Sequence, residues 1–291
     1  MRVAGFLFIR NAVKYDYPVK EAILSLLPLC DEVIISIGNS EDETEKLIRS
    51  INSPKMRIHY SVWDDTLLEG GKVLAVETNK AFDQVSAAAD WCICLQGDEV
   101  IHEDDYGTIR ENMAYYKDDP KVEGFLFKYH HFYGSYDYLG DSRRWYSHEI
   151  RVIRNDKNIR SYRDAQGFRK DGRKLQVKPL DAYIYHYGYV RHPSLQLQKH
   201  LNFEKLYNHS TLANKVSTDK IEGFDYSDID SLERFTGSHP AVMQEVIGRK
   251  NWHFSADISK KNFTLKGWFH YWVEKLTGKR FFEYKNYKVI R

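Results

Sequence analysis

Asp98 and Glu99 stand directly behind an apolar run, Trp91–Leu95, with only Gln96-Gly97 between. Adjacent carboxylates at the carboxyl end of a buried strand lie where open α/β sheets bind their ligands. Their oxygens are hard donors, suited to Mg2+ or Mn2+. An ion held there would bridge the diphosphate of a bound nucleotide and offset the charge that builds as it leaves. The competing reading is local: Asp98 could cap the acidic run His102-Glu103-Asp104-Asp105 as a helix start.

Such a pair needs a rigid sheet beneath it. Val3–Ile9 is continuously apolar, as in a strand buried on both faces. Pro18 suits the first turn of a helix, and Val19, Ile23, Leu26, Leu27 and Cys30 share one helical face. Glu32–Ile37 predicts a second strand, after which Ser40 and Glu43 make a capping box for a helix to Ile51. Arg57–Trp63 predicts a third strand and Leu74–Val85 a third helix. This alternation implies a parallel sheet with helices on both faces. No G-x-G-x-x-G follows the first strand, and no G-x-x-x-x-G-K-[S/T] occurs anywhere. A dinucleotide enzyme or a P-loop NTPase is therefore disfavoured. Beyond residue 120 strands dominate, at Val122–Tyr133, Glu149–Arg154 and Asp181–Val190, so antiparallel strands should join one side of the sheet. Residues 211–239 are polar and acid-rich, as in a surface excursion.

The order of strands, the acidic turn after the second and the run Gln96-Gly97-Asp98-Glu99-Val100 after the fourth resemble the GT-A fold, and glycosyltransferase family 2 in particular. The resemblance covers the first 100 residues well and residues 120–200 loosely. It implies an α/β fold with a Rossmann-like nucleotide-binding half, a mixed, mostly parallel sheet and a C-terminal helical appendage. The implied divisions are a catalytic domain over 1–210 (nucleotide-sugar half 1–101, acceptor half 102–210), an extension over 211–261 and a basic aromatic segment over 262–291. The implied activity is sugar transfer, with inversion, from a UDP- or GDP-type donor to a glycan or lipid-linked acceptor.

The resemblance also assigns residues. The family's D-x-D-type motif corresponds to Asp98-Glu99-Val100, which lacks the second Asp two residues on. Asp98 and Glu99, with His186 later in the chain, become expected ligands for Mn2+ or Mg2+, and Arg191 a phosphate contact. Arg10 and Asn11 would meet the base or ribose. Asn39, Glu41 and Asp42 stand for the family's acidic turn, and Lys72 follows Gly70-Gly71 near the donor. Asp164 is the first candidate for the base that deprotonates the acceptor, and Glu149 the second. Each has a plainer reading: a cap, a solvated lysine, a half-buried histidine, a surface ion pair. Two other functions compete. One is a non-catalytic relative that binds glycan or membrane. The other is a sugar nucleotidyltransferase, which would carry a glycine-rich basic loop after the first strand, where this chain has Arg10–Tyr17 without glycine.

The net charge of +2 makes no case for nucleic acid. The aromatic-rich stretch 129–146 would suit an acceptor groove or an ordinary packed loop. Residues 260–291 hold nine Lys or Arg against two Glu, among nine aromatics. Leu265, Trp268, Phe269, Trp272 and Leu276 lie on one helical face; stripes of this width usually face a core, which is the expectation here. The alternative is a peripheral membrane contact through 262–291. Three cysteines without a pairing pattern and no ~18-residue apolar run predict a cytoplasmic protein, with the membrane's inner face as the alternative site.

Overall fold

The computed structural model describes residues 1–67, 69–207 and 223–290. The opening part of the expected excursion, 211–222, lies outside them. In chain order, β1 (Val3–Ile9), α1 (Val19–Leu26), β2 (Glu32–Ile37), α2 (Thr44–Arg49), β3 (Met56–Tyr60), α3 (Lys72–Asp83) and β4 (Trp91–Cys94) form the first, alternating half. Then come β5 (Glu99–Ile101), α4 (Tyr106–Tyr115), β6 (Gly124–Tyr133), β7 (Tyr138–Gly140) and β8 (His148–Arg154). A small separate sheet follows: β9 (Ile159–Ser161), β10 (Phe168–Lys170) and β11 (Arg173–Lys174). The long β12 (Gln176–Tyr189) leads into α5 (Pro193–Tyr207). The remainder holds β13 (Leu232–Arg234), α6 (Gln244–Gly248), α7 (Leu265–Thr277) and β14 (Lys288–Val289).

The main sheet runs β13-β7-β6-β8-β4-β1-β2-β3, with β12 also paired to β6, β5 and β14. β1 is parallel to β2 and β4, and β2 to β3. β8 enters antiparallel between β4 and β6. The result is a mixed α/β sheet with its parallel half first. Side chains on a strand alternate between faces. Val3, Leu7 and Ile9 of β1 therefore pack with α1 and α4 on one face, through Ile23, Leu26, Ile109 and Met113. Ala4 and Phe6 pack with α3 on the other, through Ala81 and Phe82. Burying each large apolar side chain contributes about 1.5–3 kcal/mol, which is why β1, β2 and β4 read as continuous apolar runs.

Two local expectations change. Ser40 does not cap α2, which starts at Thr44 without a side-chain cap on Glu43. Its hydroxyl instead accepts from the Asn11 backbone N–H at 3.0 Å, tying the loop after β1 to the turn after β2. Nor does Asp98 cap a helix: the chain continues into β5, and His102 accepts from the Asp104 N–H in the following turn.

The carboxyl-terminal segments rejoin the sheet. β13 adds to β7 and β14 to β12. Between α7 and β14, Asn286 donates its side-chain amide to the Gln166 carbonyl at 3.0 Å, and its own carbonyl accepts from Arg169 at 2.7 Å. Among the described residues, no helix is long and apolar enough to cross a membrane.

Candidate active site

A cavity of about 770 Å³ opens at the carboxyl ends of β1 and β4. One wall comes from the parallel half, with Arg10, Asn11, Trp63 and Asp98; the other comes from Glu149, Asp164 and the last turns of α5. Of the residues singled out by sequence, Arg10, Asn11, Glu41, Asp98, Glu149 and Asp164 line this space.

Asp98 ends the turn before β5 and Glu99 opens that strand, and the two carboxylates take different partners. Glu99 is fully buried and accepts from Arg151 through Nε and Nη2, each at 2.7 Å, and from the Tyr129 hydroxyl at 2.8 Å. Its cross-strand partner is His186, and its charge acts on that ring, but its oxygens are taken by Arg151 and Tyr129. Asp98 Oδ2 accepts from the Lys199 ammonium at 3.0 Å and its Oδ1 faces His186 Nε2 at 3.8 Å. Burial opposes ionisation of Asp98, but the Lys199 ammonium, with Arg191 beside it, outweighs it and holds the carboxyl well below its ordinary value. Burial, then Arg191, pulls Lys199 down to about 8.

The two histidines on neighbouring strands fix one another's protons. His131 Nε2 lies 2.8 Å from the Tyr146 carbonyl, which can only accept, so this nitrogen carries the hydrogen. Burial holds His131 well below its ordinary value and so neutral, leaving its Nδ1 bare. His186 Nδ1, 3.0 Å away, must donate to it. His186 is also shifted down, by burial first, so its Nε2 is a bare lone pair. That lone pair faces the Asp98 carboxylate: two acceptors with no proton between them. The cation already on this carboxylate is the Lys199 ammonium at Oδ2, which leaves Oδ1 facing His186. Gly188 keeps the space open, since a Cβ there would sit 2.6 Å from His186 Nε2 and 3.2 Å from Asp98 Oδ2. Among the described residues no group of three or more His, Cys, Asp or Glu is set to hold a metal ion. Asp98 and His186 offer one oxygen and one nitrogen donor, 3.8 Å apart, of the kinds a divalent cation such as Mn2+ takes.

Arg191 is fully buried, its guanidinium 5.0 Å from the Tyr17 ring centroid, and all three of its nitrogens lack a hydrogen-bond partner.

Glu149 lies across the cavity on β8, 7% exposed, with Oε2 unpartnered. Burial pushes its carboxyl up to about 8; Arg151 opposes the rise, and Glu99 and Asp164 add to it. Asp164 is already engaged, accepting from the Tyr207 hydroxyl at 2.9 Å and the Gln166 amide at 2.8 Å. It sits on a loop with left-handed residues at Arg163 and Ala165.

The remaining expected residues hold loops or lie outside the lining. Asn39 Oδ1 accepts from Trp63 N–H at 3.2 Å, and Asp42 accepts from Lys14 N–H at 2.7 Å and Thr44 N–H at 3.1 Å. Lys72 is exposed at the start of α3. The 129–146 stretch is mostly core: Tyr129, Phe132, Tyr133, Tyr136, Tyr138 and Trp145 are buried, and Tyr146 alone among its residues lines the cavity. Both faces of this part of the sheet are covered, so Phe132 enters one apolar cluster and the adjacent Tyr133 another.

Sequence reasoning missed Lys199, His131 and Arg151. For Lys199 a signal existed: it falls on the stripe Gln196, Lys199, Phe203 and Leu206 of α5, spaced as an inward helix face.

No family model matches the chain, and no curated protein matches it. Among solved structures, S. aureus TarS is similar at 17% identity over 74% of this chain and 41% of that one, with a TM-score of 0.39. Glucosyl-3-phosphoglycerate synthase from Mycobacterium tuberculosis, crystallised with Mn2+, UDP and phosphoglyceric acid, is similar at 15% identity over 45% of this chain and 43% of that one (TM-score 0.28). A 4-diphosphocytidyl-2C-methyl-D-erythritol synthase from Anaerococcus prevotii is similar at 9% identity over 53% and 70% (TM-score 0.33). The chain thus spans about two fifths of the length of TarS. Likenesses this distant say nothing about the reaction.

Proposed function

We propose that this protein transfers a sugar from a nucleoside-diphosphate donor, of UDP or GDP type, to a hydroxyl of a glycan or lipid-linked acceptor. The observation that carries the reading is Asp98, on one wall of the cavity with His186 Nε2 facing its carboxylate from behind at 3.8 Å, set across from Glu149 on the other wall. Residues 1–101 supply the donor side and 102–210 the acceptor side, with 211–261 as extension and 262–291 as terminal segment. Arg10, Asn11 and Glu41 meet the base or ribose; Asn39 and Asp42 hold those loops in place.

Asp98 and His186 are the residues that would hold Mn2+ or Mg2+, which when bound supplies positive charge to the departing diphosphate. Lys199, bonded to Asp98, and Arg191 add positive charge next to Asp98. The Glu149 carboxylate takes the proton of the acceptor hydroxyl. The acceptor oxygen then bonds to the anomeric carbon, while the bond from that carbon to the diphosphate oxygen breaks and its electron pair leaves with the diphosphate. A base that titrates near neutrality serves such a step best, and this favours Glu149 over Asp164. Attack opposite the leaving group gives inversion.

The test is a thermal-shift screen of nucleoside diphosphates with and without Mn2+, followed by donor turnover. A ligand that binds the folded state raises the melting temperature, and Mn2+ and one nucleoside diphosphate should do so together. Full donor turnover in Asp98→Ala, or no response to any nucleotide, would sink the proposal.

A further inference from the structure

Helix α7 reverses the ordinary sorting of side chains. Leu265, Phe269, Trp272 and Leu276 fall at offsets 0, 4, 7 and 11 on one stripe, and their exposures run from 55 to 91%. No residue of the helix is buried. Phe282, just beyond it, is 94% exposed. The expected packing of this stripe on the domain is therefore not found; it faces outward.

The opposite side of the helix is anchored. Glu274 pairs with Arg280 at 2.6 Å and Arg143 at 3.5 Å, Lys275 with Glu233 at 3.4 Å, and Arg280 donates to the Trp145 carbonyl at 2.6 Å. Thr264 caps the amino end and Gly278 the carboxyl end. A capped, anchored helix with an apolar face in water is a built feature.

The unpaired charge beside the stripe is basic. With ~3.6 residues per turn, Lys266 and Lys275 flank the apolar face on either side, Lys275 paired with Glu233, and Glu274 lies behind it. Lys279 follows just past the end of the helix. Among the described residues no carboxylate pairs with Lys266, Lys279 or Lys285. We propose that this face docks on an anionic lipid bilayer, with Phe269, Trp272 and Phe282 entering the headgroup region and the lysines meeting lipid phosphates. A second copy of the chain fits poorly, because a twofold contact would bring the same lysines against one another. The proposal rests on α7 and its flank, and stands or falls independently of the sugar-transfer reading.

The experiment is cosedimentation of the full chain with vesicles of phosphatidylcholine alone and of phosphatidylcholine with about a third phosphatidylglycerol. Binding should be at least about tenfold tighter to the anionic vesicles, and replacing Lys266 or Lys279 by Ala should weaken it about fivefold each. Phe269→Ser with Phe282→Ser should weaken it by about tenfold or more. All these variants should melt where the parent does, since the altered side chains are exposed. Absence of binding, equal binding to neutral vesicles, or unchanged binding by the double Phe variant would overturn the proposal. So would a dimer, seen by light scattering, that the same Phe substitutions dissociate.

Discussion

At Asp98 the protein hides charge, and on α7 it displays grease. The Asp98 carboxylate, the Lys199 ammonium and the Arg191 guanidinium are each less than 9% exposed, whereas Leu265 and Phe282 exceed 90%. Most proteins sort these groups the other way. The inversions differ in kind. The buried charges interlock, so removing one strands another. The exposed rings touch little, so removing one leaves the fold as it was. Position within the contact network thus decides whether a misplaced side chain belongs to the architecture or only to the surface.

Substitutions test that contrast, beginning with the largest effect. Asp98→Asn should abolish donor turnover and cost about 3–5 kcal/mol in denaturant unfolding, because Lys199 is left buried beside Arg191. Adding Lys199→Met should restore much of the stability and none of the turnover. A purely additive double variant would break the idea of an interlocked pair.

Glu149→Gln should lower turnover by about 10²–10⁴-fold. In the parent, turnover should climb with pH and level off above about 8. The sign for stability is opposite. The fold favours the protonated acid, so its contribution is complete below the ordinary carboxyl value and is lost as pH rises through about 8. Glu149→Gln should therefore be relatively more stable at pH 9 than at pH 4. An unchanged pH profile in this variant would exclude Glu149 as the base.

Smaller effects belong to the histidine pair. His131→Leu removes the acceptor for His186 Nδ1–H, so the His186 hydrogen should move to Nε2, facing Asp98. Side-chain 15N NMR reads this tautomer directly, and Mn2+ affinity should fall about 10–100-fold. Gly188→Ala should weaken Mn2+ comparably by crowding the same nitrogen. A His186 tautomer that ignores the loss of His131 would refute the relay. At the bottom of the scale, Trp272→Ser should change unfolding free energy by no more than about 0.5 kcal/mol. A larger loss would mean that the helix face is part of the core after all.

How much of this was legible follows from the same contrast. β1, β2 and β4 were readable because a strand buried on both faces must be apolar throughout, and Asp98 was readable because the apolar run stops just before it. Its partners were not: Lys199 lies 101 residues away, and His131 lies 55 from His186. No local pattern announces an ion pair that only the sheet's strand order assembles. Glu99 looked like Asp98's equal in sequence, but at the start of β5 it pairs with Arg151. For α7 the period was visible and the direction was not, since an inward stripe and an outward one share a spacing. The 129–146 aromatics posed the same ambiguity and resolved inward.

The pairing of β14 with β12 and the Asn286–Gln166 hydrogen bond act as a tie rod. They fasten residues near 287 to the loop whose left-handed turns present Asp164 beside Glu149. Slack introduced at Asn286 would reach the cavity wall before it reached the hydrophobic core, so damage at this remote stretch should register first as misplaced chemistry and only later as melting.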